Sequence, residues 1–90
     1  MPRIKFTSAL KRFFPDLRDI EVEGSKLSEL IHNINLSFPG ISNYIVEENG
    51  NLREHVNIYL DGKMIQDRDQ LSDKVDDKNE VVIFQAISGG

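Results

Sequence analysis

Apolar residues recur along this chain with two different periods, and the point where the period changes divides it. Arg3-Ile4-Lys5-Phe6-Thr7 alternates polar and apolar, which predicts a strand with Ile4 and Phe6 on one buried face. A loop rich in Phe13, Phe14 and Pro15 follows. Residues 18–23 alternate again, with Ile20 and Val22 inward and Asp19, Glu21 and Glu23 in water. That spacing suits a hairpin whose turn is long rather than tight. At Gly24-Ser25 the period lengthens from two to three-and-four. Leu27, Leu30, Ile31 and Ile34 fall on one face of a helix predicted over about residues 26–36. Ser25 is expected to cap its start, and Glu29 suits the positive end of the helix dipole. Pro39-Gly40 ends it, because proline restricts Phe38 and cannot continue the bond ladder.

Residues 41–46 are short and ambiguous, and residues 47–51 read as a turn centred on Asn49-Gly50. Residues 55–60 form a clean strand with Val56, Ile58 and Leu60 on one face. Asp61-Gly62 turns the chain into a short strand over residues 63–65. Residues 66–79 are polar, anchored only by Leu71 and Val75, and read as a loop with one helical turn. Val81 to Phe84 is apolar on both faces, as a central strand is. One helix among four or five strands covers one face of a sheet, so the prediction is a two-layer α+β domain. The last strand should lie parallel to the first, with the helix crossing over between them. The expected core is Ile4, Phe6, Ile20, Val22, Leu27, Leu30, Ile31, Ile34, Val56, Ile58, Val81 and Ile83.

Composition narrows the function classes. Ninety residues with 39% apolar content make one globular domain with a thin core. A net charge of −4 disfavours nucleic acid and anionic membrane surfaces, both of which attract basic protein faces. Lys11-Arg12 is too small to count as a basic patch. The chain contains no cysteine, so it has no disulfide framework and no thiol nucleophile. Met1-Pro2-Arg3 passes straight into a strand, no apolar run reaches spanning length, and a cytoplasmic location is expected. His32 and His55 lack ligand spacing and read as surface residues. Asp73, Asp76 and Asp77 lack the glycine and glutamate of a calcium loop and read as a solvated turn. No metal site, permanently bound cofactor or catalytic residue is expected.

Chemistry is left to the final segment, Ala86-Ile87-Ser88-Gly89-Gly90. An α-carboxylate is ionised at neutral pH. A Gly-Gly end can thread a narrow channel and leaves the carbonyl of Gly90 uncrowded. If a partner activates that carboxylate, for instance as an acyl-adenylate, the terminus becomes an acyl donor.

The stretches LREHVNIYLDGK (52–63), NEVVIF (79–84), AISGG (86–90) and FPGI (38–41) resemble the ubiquitin-like β-grasp sulfur carriers of the MoaD/ThiS group. That group includes the small subunit of molybdopterin synthase and carriers of thiamin and cysteine pathways. The resemblance implies a domain over residues 1–84 and a flexible tail over 85–90. It further implies adenylation of Gly90 by an ATP-dependent activating enzyme, conversion to a thiocarboxylate, and sulfide delivery to a sulfur-accepting synthase. By the same resemblance Phe84 and Met64 face the activating enzyme. Thr7 stands where some members have an aromatic, Gln85 where proline is common, and Ser88 where a small apolar residue is usual. The implied product is a non-catalytic carrier, which in a molybdopterin-synthase-like complex would be the small subunit in molybdenum cofactor biosynthesis. A protein modifier joined to lysines through Gly90, or an adaptor with an inert tail, are the competing readings.

Overall fold

The alternating segment at the start of the chain and the apolar run near its end meet in the middle of one sheet. The computed structural model describes residues 1–85. Their elements are β1 (Arg3–Phe6), α1 (Ser8–Lys11), β2 (Ile20–Glu21), α2 (Leu27–Ser37), α3 (Ser42–Ile45), β3 (Val56–Leu60), β4 (Lys63–Met64) and β5 (Glu80–Gln85). The five strands lie in the order β2-β1-β5-β3-β4. β1 and β5 run parallel, with Ile4 opposite Val81 and Phe6 opposite Ile83. The other pairs are antiparallel. β5 thus has a partner on both sides, as its apolar composition predicts. The arm expected over residues 85–90 begins, at Gln85, inside β5; Ala86, Ile87, Ser88, Gly89 and Gly90 lie outside the described residues.

α2 covers the inner face. Leu27, Leu30, Ile31 and Ile34 join Ile4, Phe6, Val56, Ile58, Val81 and Ile83 in one buried cluster. The start of α2 corrects the expected cap. Lys26 holds the N-cap position and gives no side-chain bond. The Ser25 hydroxyl donates to Glu29 Oε1, as does the Ser25 backbone N–H at 2.8 Å. These bonds, the backbone one foremost, hold the Glu29 carboxyl below its ordinary pKa. The free N–H groups of the first turn are satisfied from elsewhere in the chain: Leu27 donates to the Asp73 carbonyl and Ser28 to the Leu71 carbonyl. Reaching that geometry puts Leu71 at φ 54, a left-handed conformation that costs a residue with a Cβ about 1–2 kcal/mol. Its buried side chain holds it there. Gly24 faces the same turn so closely that a Cβ would lie 2.8 Å from Leu30 Cδ2.

The polar segment before β5 is tied by carboxylates. Asp67 accepts from the backbone N–H groups of Asp69, Gln70 and Ser72 and from the Ser72 hydroxyl. The Ser72 side-chain bond leads the effects that bring its pKa to about 2. Asp73 accepts from the N–H groups of Gln66 and Asp67, so it is a structural ligand of the loop rather than a solvated turn residue. The single helical turn expected here is the Leu71 N–H bond to the Asp67 carbonyl. Asp61 and Gly62 turn β3 into β4 at φ 48 and 85. The Asp61 carboxylate accepts the Glu80 N–H, which with Asn79 lowers its pKa.

The expected core is buried except for Ile20, which packs against it only in part; it sits on an edge strand with sheet on one side alone. Three features are additional. The long β1–β2 connection contains α1, and Leu10 and Leu17 from this connection are buried. The ambiguous residues 41–46 contain α3, with Ile41 and Ile45 inward at helical spacing. Asn35 Oδ1 organises that turn by accepting from the N–H groups of Gly40 and Ser42. The second strand is also shorter than its alternation predicts.

Leu30 is 1% exposed, so Leu30→Ala should lower the unfolding free energy in urea by about 2–5 kcal/mol. Asp67 has a pKa of about 2 in the fold against an ordinary 3.8, so its stabilising bonds are fully present above the ordinary value. The stability difference between the native chain and Asp67→Ala should therefore shrink as pH falls from 3.8 to about 2. Denaturant melts across that range check it.

Candidate functional site

Alternation along β5 sends Val81 and Ile83 into the core and Glu80, Val82 and Phe84 to the other face. Register then fixes their neighbours. Val82 lies between Lys5 of β1 and Tyr59 of β3, and Tyr59 lies opposite Met64 of β4. Phe84 lies opposite Asn57, one diagonal step from Tyr59. Phe84 is 41% exposed and Met64 54%; Val82 and Tyr59 are half-buried. The two expected site residues are therefore not in direct register. They are two strand spacings across and two residues along, roughly 12 Å apart, and Tyr59 and Val82 join them into one apolar band. Sequence reasoning missed both bridging residues, although each occupies an outward position of a strand it identified.

Charged groups flank this band at both ends: the Arg68 guanidinium donates to Asn57 Oδ1, opposite Phe84, at 2.9 Å. Lys5 Nζ lies 3.4 Å from Glu80, and Arg3 pairs in register with both Glu21 and Glu80. Phe84 lies at the C-terminal end of the described part of β5. Isolated exposed apolar residues are ordinary, but a contiguous band beside a strand end is a binding surface in form.

At that end of the described strand the structure brings together Thr7 and Gln85. The Thr7 N–H donates to the Ile83 carbonyl, and Thr7 Oγ1 accepts the Gln85 N–H at 3.3 Å. Gln85 Oε1 is buried with no hydrogen-bond partner among the described residues. Gly90, Gly89, Ser88, Ile87 and Ala86 lie outside the described residues. His32 and His55 are exposed. Among the described residues no group of three or more metal-ligating side chains converges, and no helix is long and apolar enough to cross a membrane. A groove of about 350 Å³ between α2, α3 and the 69–71 loop is lined by none of the outward sheet residues.

The mixed sheet, its parallel central pair and one main helix on a single face define a ubiquitin-like β-grasp protein. Solved structures with this fold include the matching chain of the Amycolatopsis orientalis BexX/CysO complex, at TM-score 0.85 and 20% identity, covering 100% of both chains. Mycobacterium tuberculosis CysO matches at TM-score 0.83 and 20% identity, over 97% of this chain and 100% of that one. The small archaeal modifier protein 1 of Methanosarcina acetivorans matches at 0.79 and 20%, over 99% and 95%. No curated protein matches by sequence. Residues 4–90 match the ThiS family, and the chain belongs to this family of small ubiquitin-like sulfur carriers.

The alternation makes a sharp prediction. Met64→Glu should change unfolding free energy by no more than about 0.5 kcal/mol, as exposed substitutions do. Ile83→Glu, one residue before Phe84 but 1% exposed, should leave the chain unfolded in circular dichroism.

Proposed function

We propose that this chain is a sulfur carrier, with Gly90 as the acceptor of sulfur. Residues 1–84 act as the rigid body and residues 85–90 as its arm, rooted by Gln85 in β5. The Gly90 carboxylate attacks the α-phosphorus of ATP on a separate activating enzyme, and pyrophosphate leaves. A donor of hydrosulfide-level sulfur then attacks the acyl carbon, AMP leaves, and a thiocarboxylate remains. Its sulfur attacks an electrophilic carbon of a substrate on an acceptor synthase, displacing that carbon's leaving group with its electron pair, and a thioester forms. Hydrolysis of the resulting thioester returns the carboxylate and leaves the sulfur on the product. The chain supplies an acyl group and a docking face and catalyses no step itself.

The observation that carries this reading is the family match, which runs through Gly89 and Gly90. The open band of Phe84, Val82, Tyr59 and Met64 supports it, because it lies beside the root of the arm. A cysteine-free chain leaves its terminus as the natural place for sulfur to be loaded. The reading leaves the acceptor pathway open among cofactor and cysteine biosynthesis. It takes the carrier to be cytoplasmic, where ATP is available.

A second reading, a protein modifier, is favoured by the likeness to a small archaeal modifier protein. Both begin with adenylation and diverge at the acceptor. The test is incubation with ATP, the cognate activating enzyme and a sulfur donor, followed by intact mass. The carrier gains the mass difference between sulfur and oxygen, and a thiol-alkylating reagent traps the product without competition from cysteine. Deletion of Gly90 should abolish the gain and leave the melting temperature unchanged. Isopeptide-linked Gly90 on lysines of other proteins, with no thiocarboxylate, would select the modifier.

A further inference from the structure

β1 ends at Phe6, yet β5 continues through Gln85. In a parallel ladder the next rung would carry the Gln85 N–H to the backbone carbonyl of Thr7. That carbonyl is engaged in starting α1, where it accepts the Leu10 N–H at 3.4 Å. Thr7 is also the N-cap of α1, a position where a threonine hydroxyl ordinarily accepts from its own helix. Here it makes no capping bond. The hydroxyl accepts the Gln85 N–H instead, taking the place of the missing carbonyl. One residue thereby turns the chain into α1 and carries the ladder one rung further.

We infer that Thr7 is a positioning residue, whose hydroxyl latches the Gln85 N–H and so fixes the residue from which the arm of the carrier reading starts. The functional consequence rests on the carrier reading; the latch itself does not. Gln85 is the last of the described residues, and β1 offers it no backbone acceptor, because the Thr7 carbonyl accepts from Leu10. The latch needs both partners. A side chain without an acceptor at residue 7, or a proline at residue 85, abolishes it. Without it Gln85 is held only by its register with Val56 of β3, and the added ordering cost falls on binding rather than on chemistry.

The experiment compares the native chain with Thr7→Val, which keeps the branched shape and loses the acceptor, and with Thr7→Ser, which keeps the hydroxyl. Amide exchange of Gln85 should quicken in Thr7→Val by about three- to tenfold, the factor of one ordinary hydrogen bond, and stay near native in Thr7→Ser. In adenylation by the cognate enzyme, KM for Thr7→Val should rise by a similar factor with kcat unchanged, and Thr7→Ser should restore it. Melting curves establish that the variants remain folded. Equal Gln85 exchange in native and Thr7→Val chains would show that no latch exists. Faster exchange with unaltered KM would show a bond without a positioning role, and would equally overturn the inference. If the native chain is not adenylated at all, the carrier reading fails and the positioning role fails with it; the exchange comparison still decides on the bond.

Discussion

Everything in this fold follows from the parallel pairing of β1 with β5. Two antiparallel strands can be joined by a tight turn, but a parallel pair needs a crossover, and here the whole intervening chain supplies it. The hairpin partner β2 takes the outer edge of β1, α2 crosses the inner face, and β3 returns beside β5. Because β5 is enclosed by β1 and β3, its position is fixed from both sides. The segment after Gln85 is therefore rooted in the most constrained strand of the molecule. On the carrier reading proposed above, such rooting sets where Gly90 begins its reach.

The same topology separates two surfaces. One face of the sheet is sealed by α2, whose first turn is held by carbonyls of Leu71 and Asp73. The other presents Phe84, Val82, Tyr59 and Met64 beside the end of β5. A partner that docks on this band meets the root of the arm in the same encounter. On the proposed reading, activation for sulfur delivery and activation for conjugation would place the same demand on that surface.

Much of this was legible in the sequence where a pattern reports directly on a face. The change from period two to three-and-four located α2 within a residue at each end. The two-sided apolar run of Val81 to Phe84 put β5 at the centre, while Phe84 and Met64 were marked by the family resemblance rather than by a pattern. Other features depend on contacts between distant segments. α1 and α3 are single turns set by buried Leu10, Ile41 and Ile45, too short for a period to show. Ser25 reads as an N-cap by residue type, but loop carbonyls already occupied the N–H groups it would have capped. Asp67 is an ordinary acidic residue until Ser72 and three backbone donors surround it. Tyr59 and Val82 became site residues only through strand register, and the Thr7–Gln85 bond spans 78 positions of sequence.

The central claim is that partner recognition uses the uncovered sheet face rather than the helical layer. The most direct test is a nitrogen-15 amide titration of the native chain with its activating enzyme. The account predicts that the perturbed amides cluster at Asn57, Tyr59, Met64, Val82, Phe84 and Gln85, with His32, Asn35 and Ser42 unaffected. Perturbation centred on α2 and α3, with Met64 and Phe84 unmoved, would contradict it.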